Sequence, residues 1–281
     1  MTSDSPTVRL DLESRPQTLT IVRGMLGGVA DLLSIDPELL DDLKTAVSEA
    51  CNNVVLHAYE GRPGPMGVRL FLLDDRIRVT VRDEGVGMSS EDRVPDRTDG
   101  IGLSVIRALT EEVHFATRPG GGTEVVMDFP AHQDGGEPVT WPSAEGPDSD
   151  WALAGPDEIV LSLSPVTLLG GVLGRLARTL AATAHFSLDR FSDVYLVTDT
   201  IAAHATGAAS GGRISARLAA KERRLELAVG PFKPGSGASL CATSAGRPTS
   251  PLMLLSDEVS VRREGDDELL YVVVIDPRAP T

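Results

Sequence analysis

The feature that most constrains the fold of this 281-residue chain is an internal repeat. A predicted order of strand, helix, helix, strand, strand, helix, strand occurs twice, over residues 8–129 and again over 159–275. Alternating apolar residues predict the strands, and apolar residues spaced by three and four predict the helices. Two short segments also match in place, LTEEV at 109–113 and LSDEV at 255–259. Tandem copies of one fold account for this order, and two unrelated α+β domains are the alternative.

Residues 131–156 separate the two copies. They are rich in Gly, Pro, Asp, Ser and Glu and lack periodicity, which is typical of a linker. We therefore predict domains at 5–130 and 157–277, each an α+β sandwich with an antiparallel-rich mixed sheet covered on one face by helices. The predicted strands are 8–12, 67–73, 76–81, 124–129, 159–163, 213–219, 224–229 and 269–275, and the predicted helices are 19–33, 46–53, 103–109, 168–184 and 196–203.

Charge and composition exclude some functions. The formal net charge is −15 and Lys and Arg form no dense cluster, which argues against a nucleic-acid partner. Cys51 and Cys241 are far apart and have no metal-ligand spacing. The N-terminal residues lack the pattern of a signal peptide, and no apolar run reaches the roughly 18–20 residues of a membrane span. We expect a cytoplasmic protein without a membrane partner.

The segment AVSEACNNVVLHAY at 46–59 predicts a helix with two different stripes. One stripe is apolar and predicts core packing: Leu43, Val47, Ala50 and Val54. The other stripe is polar, with Glu49, Asn53 and His57 at successive spacings of four. Side chains four residues apart share a helix face, so Glu49 and Asn53 point at the same place. His57 has no second ligand in view and is interpreted as a structural residue near the helix end.

Three glycine-rich motifs follow this helix. Asp83-Glu84-Gly85-Val86-Gly87 comes after a strand, and Asp99-Gly100-Ile101-Gly102 opens a helix. Gly121-Gly122-Thr123 precedes the last strand of the first copy. In this order, with the Glu-x-x-x-Asn helix, the motifs resemble those of the GHKL or Bergerat-fold ATP-binding domain of gyrase, histidine kinases and MutL-type proteins. The resemblance covers residues 8–130.

The resemblance implies a role for each polar residue. Asn53 would be a ligand of Mg²⁺, which prefers oxygen ligands and keeps waters and phosphate oxygens. Glu49 would be the catalytic base that takes a proton from a water or hydroxyl attacking the terminal phosphate of ATP. Asp83 would accept a hydrogen bond from the adenine amino group, and Thr123 would bind near the base.

The glycines have implied roles as well. Gly85 and Gly87 would let the backbone pass close to the adenine ring. Gly100 and Gly102 would bind phosphate at a helix start, where N–H groups are free. Residues 88–99 would form a lid over the triphosphate. Arg97 in this segment is interpreted as a solvated charge and not as an arginine finger.

Within the superfamily, residues 41–61 and the motifs VRDEGVGM (81–88) and DGIGL (99–103) are similar to the bacterial anti-sigma-factor serine/threonine kinases. That resemblance implies two partners, a sigma factor and an anti-anti-sigma protein phosphorylated at the expense of ATP. Arg23 falls where that family's first helix carries an arginine facing a protein partner. The segment between Gly87 and Gly100 is shorter than in well-known members, so a binding module without phosphate transfer is the alternative function. A purely structural adaptor is a third.

The second copy lacks these motifs. When Glu49 is aligned with Asp199, Ala203 stands in the place of Asn53, and GPFKPG (230–235) replaces DEGVG. We predict a degenerate copy that does not bind ATP. Because this family's kinases pair as homodimers, the chain is expected either to form a homodimer or to use the second copy as an internal partner, an intramolecular pseudo-dimer.

Overall fold

In a computed structural model, residues 5–87, 101–118, 120–131, 141–142, 144, 155, 157–241, 243–244, 247–248 and 250–277 are described. The first half contains β1 (Val8–Glu13), α1 (Thr18–Leu33), α2 (Pro37–Asn53), β2 (Pro65–Leu72), β3 (Arg76–Asp83), α3 (Ile101–Leu109), β4 (Glu112–Thr117) and β5 (Thr123–Pro130). A π-helical segment, Val54–Ala58, continues α2. Most of the predicted linker 131–156 lies outside the described residues.

The second half repeats this order with additions. It contains β6 (Glu158–Leu163), α4 (Leu169–Thr183), α5 (Leu188–Ala208), β7 (Ile214–Lys221), β8 (Arg224–Phe232), α6 (Ser236–Leu240), β9 (Thr243–Ser244), β10 (Arg247–Pro248), α7 (Pro251–Leu255), β11 (Glu258–Glu264) and β12 (Asp267–Ile275). A 3₁₀ turn at Val166–Leu168 precedes α4. Every strand and helix predicted from the sequence is present, with bounds that differ by up to nine residues. The sequence prediction missed β4, β11 and the short elements α6, β9 and β10, and it gave no range for α7.

The described strands of the main sheet form one ten-stranded sheet in the order β11-β12-β8-β7-β6-β1-β2-β3-β5-β4. Every pair of neighbours in it is antiparallel, so the prediction of a mixed sheet was wrong. The two halves meet in the middle, where β1 pairs with β6 and Leu10 lies opposite Leu161. Outward from this pair, each half adds its strands in the corresponding order.

Helices α1 and α4 also pack against each other across the two halves. A Cβ at Gly28 would lie 2.4 Å from the carbonyl oxygen of Gly171, and a Cβ at Gly171 would lie 2.4 Å from that of Gly28. Only glycine allows backbones to approach this closely. Arg175 of α4 pairs with Asp31 of α1. The apolar side chains under these helices form one continuous core that includes residues of both halves.

Helix α2 forms as the sequence pattern predicts. Pro37 occupies its first turn, and the Asp36 carboxylate accepts hydrogen bonds from the N–H groups of Glu38 at 2.9 Å and Leu39 at 3.3 Å. The predicted apolar stripe is buried: Leu43, Val47, Ala50 and Val54. Burial of this stripe fixes the rotation of the helix and therefore the direction of its polar side.

The buried residues of α2 and α5 correspond when positions are offset by 151 residues, as between Leu43 and Val194. The alignment made from the sequence, which set Glu49 against Asp199 and placed Ala203 opposite an asparagine, was therefore out by one residue. Helix α5 carries apolar residues on its outer side as well as its inner side, so its sequence did not mark a single buried stripe.

Candidate nucleotide-binding site

Glu49 and Asn53 lie next to the start of α3. Both side chains are half-buried on one side of α2. A Cβ at Gly102 would lie 2.8 Å from Oε2 of Glu49 and 3.6 Å from Oδ1 of Asn53. The structure therefore brings these three predicted residues together, and the backbone of α3 passes both polar side chains. A larger residue at 102 would displace the Glu49 carboxylate from its position.

Asp83 lies at the end of β3, where its residue is only 3% exposed. Its Oδ1 accepts a hydrogen bond from the N–H of Gly85 at 2.8 Å. Among the described residues, no hydrogen bond to its other carboxylate oxygen is found. A carboxylate accepts hydrogen bonds at both oxygens, so this second oxygen can receive an N–H from a ligand.

The turn that follows Asp83 packs against the end of the π-helical segment. The N–H of Val86 donates to the carbonyl oxygen of Ala58 at 3.0 Å. A Cβ at Gly85 would lie 2.0 Å from that same oxygen, so only glycine fits there. The last carbonyl groups of a helix have no partner within the helix, and Ala58 ends the π-helical segment. Here the free carbonyl holds the turn next to Asp83.

The remaining predicted residues on β5 and its preceding loop lie beside Asp83. Gly122 has a φ of +86°, and a Cβ on it would lie 2.1 Å from the backbone oxygen of Asp83. Thr123, the next residue, begins β5 and is half-buried. Gly87 has a φ of +79°, and a Cβ there would lie 3.4 Å from the Gly122 oxygen. Asp83, Gly85, Gly87 and Thr123 therefore form one cluster.

Several predicted features fall elsewhere. Gly100, the lid segment 88–99 and Arg97 lie outside the described residues. His57 is exposed. Arg23 of α1 donates a hydrogen bond to the hydroxyl of Ser48 at 3.4 Å. Cys51 is buried under α2, and burial raises the pKa of its thiol to about 12, so it is an inert core residue.

Sequence reasoning missed Tyr59. Its hydroxyl accepts a hydrogen bond from the N–H of Glu84 at 2.8 Å and donates one to the carbonyl oxygen of Pro65 at 2.5 Å. Burial raises the pKa of this phenol, whereas the bond from Glu84 lowers it; the net direction is upward. The Glu84 partner lies 25 residues away in the sequence, so the only local signal was an aromatic residue at the end of the polar helix.

In the second half, the offset of 151 places Thr200 opposite Glu49 and His204 opposite Asn53. The imidazole Nε2 of His204 is hydrogen-bonded to the carbonyl oxygen of Ser236 at 2.8 Å. Its ring lies 5.8 Å from the ring of Phe232, measured between centroids, and Phe232 is completely buried. The His204 side chain is therefore engaged by residues that follow β7 in the same half.

The loop after β8 is closed by a carboxylate of the same chain. Glu268 of β12 accepts hydrogen bonds from the N–H groups of Gly235 at 2.8 Å, Gly237 at 2.9 Å and Ala238 at 3.4 Å. The bond from Gly235 is the main reason why the pKa of Glu268 is lowered, and burial opposes it. At the end of β8, Phe232 follows a proline, whereas β3 ends in Asp83.

Two features are absent from the described residues. No helix among them has both the length and the apolar composition needed to cross a membrane. They also contain no group of three or more His, Cys, Asp or Glu placed to hold a metal ion. A site with Asn53 as its protein ligand differs from such a cage, because Mg²⁺ commonly takes most of its oxygens from water and phosphate.

Comparison with known proteins shows the family of the first half of the chain. Residues 12–129 match the family model of the histidine kinase-like ATPase domain. The anti-sigma F factor of Caldanaerobacter subterraneus subsp. tengcongensis is 33% identical over 129 residues, which are 43% of this chain and 90% of that protein. This chain therefore belongs to the histidine kinase-like ATPase family.

A serine-protein kinase and a histidine kinase domain are also similar to this chain. The serine-protein kinase RsbW of Bacillus subtilis is 31% identical over 134 residues, covering 43% of this chain and 84% of that protein. Each of these two alignments spans less than half of this chain. A solved histidine kinase domain from Erythrobacter litoralis is 30% identical, and the match covers 34% of this chain and 48% of that domain. The TM-score of 0.29 is too low to establish a common fold.

Proposed function

We propose that residues 5–130 bind Mg·ATP and act as an anti-sigma-factor serine/threonine kinase. One observation carries this proposal: Glu49 and Asn53 converge on Gly102 at the start of α3, while Asp83, a buried residue at the end of β3, has a second carboxylate oxygen without a described donor. These are two separate polar positions of the kind that a nucleotide needs, one for the phosphates and metal and one for the base. The relatives named above are anti-sigma factors and serine-protein kinases.

In this proposal each side chain has one task. Asn53 holds Mg²⁺ through its amide oxygen, and the N–H groups at the start of α3 near Gly102 bind phosphate. Asp83 accepts a hydrogen bond from the adenine amino group. The Glu49 carboxylate takes the proton of the attacking serine hydroxyl. Bound Mg·ATP supplies the phosphoryl group.

The proposed partners are a sigma factor, which the protein would sequester, and an anti-anti-sigma protein, which it would phosphorylate. The alternative is an ATP-binding module that sequesters its partner without transferring phosphate. The short segment between Gly87 and Gly100 favours this alternative, because a lid has to exclude water from the phosphates during transfer.

The nucleotide site is tested by calorimetric titration with Mg·ATP. Asn53→Ala should lower the affinity only when Mg²⁺ is present, because it removes a metal ligand. Asp83→Asn should lower it with or without Mg²⁺, because it disturbs the contact with the base. A matched control is Asn52→Ala, the neighbouring half-buried amide on α2. Unchanged affinity in both test variants would show that the site is wrongly assigned.

The reaction is tested with Glu49→Gln, which keeps the size of the side chain. If Glu49 is the base, transfer of radiolabelled phosphate to a captured protein partner should fall roughly 10²–10⁴-fold, with little change in Mg·ATP affinity. If the wild-type chain binds ATP but labels no partner, the binding-module alternative is correct. Full transfer activity in Glu49→Gln would remove Glu49 from the chemistry.

We further propose that residues 157–277 are a degenerate copy of the first domain, joined to it by the linker 131–156. Thr200 and His204 would stand in place of the base and the metal ligand, and the N–H groups of the loop after β8 are already bound by Glu268. The copy would serve as an internal dimer partner, because β6 already covers the β1 edge. Sedimentation equilibrium should then give the 29.7 kDa mass of one chain, and a stable homodimer would contradict this role.

A further inference from the structure

We infer that Tyr59 is a positioning residue for adenine, acting through the turn that carries Asp83. This inference rests on the proposed nucleotide site and deepens it, since it names a residue that decides how the site recognises the base. Tyr59 itself does not need to contact the nucleotide. Its hydroxyl group ties the turn to the start of β2.

Three successive N–H groups of the turn are held by three different acceptors. The Glu84 N–H is bound by the Tyr59 hydroxyl at 2.8 Å, and the Gly85 N–H by Oδ1 of Asp83 at 2.8 Å. The Val86 N–H is bound by the carbonyl oxygen of Ala58 at 3.0 Å. The bond to Tyr59 is the only one of the three made by a side chain from outside the turn. It holds the peptide unit that immediately follows Asp83.

Tyr59 is also fixed to the sheet. Its hydroxyl donates to the Pro65 carbonyl, at the first residue of β2, at 2.5 Å. Its ring lies against Gly64, where a Cβ would come within 2.6 Å of three ring carbons. Gly64 is bonded in turn to Ser14, which follows β1, through both its N–H at 3.1 Å and its carbonyl oxygen at 2.8 Å. The phenol therefore fixes the turn after β3 relative to the start of β2.

This arrangement restricts Asp83 as well. Its Oδ1 is held by Gly85, so the direction of the second carboxylate oxygen depends on where the turn lies. A shift of the Glu84 peptide would turn that oxygen away from an adenine amino group. A hydrogen bond is weakened steeply by such misalignment, so a small displacement has a measurable effect on binding.

The second half provides an internal comparison. After α5, at the position that the offset of 151 gives for Tyr59, stands Ser210. Its hydroxyl is bonded to Asp267, and its N–H donates to the carbonyl oxygen of Pro231 at 3.0 Å. The half that lacks the carboxylate at the end of its third strand thus also lacks the phenol. The two features occur together, as expected if Tyr59 serves Asp83.

The test compares Tyr59→Phe with the wild-type chain by calorimetric titration with two nucleotides. We expect the Kd of Mg·ATP to rise roughly fivefold to tenfold, the range typical for loss of one neutral hydrogen bond. The Kd of the magnesium complex of purine riboside triphosphate, which lacks the 6-amino group, should not change. Tyr195→Phe, an exposed tyrosine on α5, is the matched control and should change neither value.

A purely structural role for Tyr59 would change the Kd values of the two nucleotides in a different way. General loosening of the site would raise the Kd of both nucleotides equally, and that result would overturn the inference. So would equal Mg·ATP affinity in Tyr59→Phe and wild type. In an Asp83→Asn background, Tyr59→Phe should have no further effect on affinity; additive losses would also contradict it. If the wild-type chain binds no Mg·ATP, the proposed function fails together with the inference, whereas the other outcomes affect Tyr59 alone.

Discussion

The packing of α1 against α4 leads to a prediction about two glycines of the same helix. A Cβ at Gly28 would lie 2.4 Å from the carbonyl oxygen of Gly171, about 1 Å closer than an ordinary van der Waals contact. At Gly24, one turn earlier on α1, nothing lies within 4 Å of the added atom. Gly24→Ala and Gly28→Ala therefore make the same chemical change in two different surroundings.

The expected free energies of unfolding follow from two effects. Replacing glycine by alanine inside a helix stabilises it by about 1 kcal/mol, and this applies to both variants. Overpacking at a tight contact costs about 1–3 kcal/mol, and this applies only to Gly28→Ala. Gly24→Ala should therefore be about 1 kcal/mol more stable than wild type, and Gly28→Ala up to about 2 kcal/mol less stable. The difference between the variants isolates the steric effect.

Urea unfolding followed by circular dichroism measures this difference. With a slope of about 2–3 kcal/mol per molar urea, a separation of 1–3 kcal/mol shifts the midpoints apart by roughly 0.3–1.5 M. Calorimetry of thermal unfolding would show the same order. If the two variants unfold at the same urea concentration, α1 and α4 do not approach as closely as the structure shows, and the interface between the halves is wrong.

Three other predictions concern the second half and the cysteines. Phe232→Ala should lower the free energy of unfolding by about 3–5 kcal/mol, because this ring is completely buried, while leaving the Mg·ATP affinity unchanged in calorimetric titration. Glu268 has a folded-state pKa below its ordinary value of 4.5, mainly through the Gly235 N–H, so its stabilising effect is complete above that pH and is lost as the pH falls below it. Acid unfolding of Glu268→Gln should therefore show a smaller loss of stability below pH 4.5 than wild type, and an identical pH profile would refute this. Cys51 should react with a thiol reagent only on unfolding, because burial raises its pKa to about 12. The half-buried Cys241 should react in the native protein. Both reactions are followed by the absorbance of the thiolate that the reagent releases.

The sequence predicted the helical and strand elements well where one side of an element is buried. The apolar stripe of α2 is an example, since its spacing follows from helix geometry alone. Edge strands are different. In β4 only Val113 and Phe115 are half-buried and the other residues are exposed, so the apolar alternation is weak. The same weakness hid β11. Exposed edges carry little of the hydrophobic signal on which such predictions depend.

The site was predictable to the extent that its residues are close together in the sequence. Glu49 and Asn53 share a helix face because of their spacing, and the structure adds only that Gly102 lies beside them. Tyr59 could not be found this way, because its bond to Glu84 spans 25 residues and depends on how β2 and β3 pair. Pairing between distant segments is set by the whole fold, and no local pattern reports it.

Comparison of α2 with α5 separates what the fold needs from what a nucleotide needs. The buried positions are apolar or small in both helices, as Leu43 and Val194 illustrate, so the core requires them. The polar positions differ completely, because Thr200 and His204 stand where Glu49 and Asn53 stand in the first half. A carboxylate and an amide at these positions are therefore not a requirement of folding. Their retention beside Gly102, in the half that also keeps Asp83, is best explained by a ligand, and this is why we assign the proposed ATP chemistry to the first half alone.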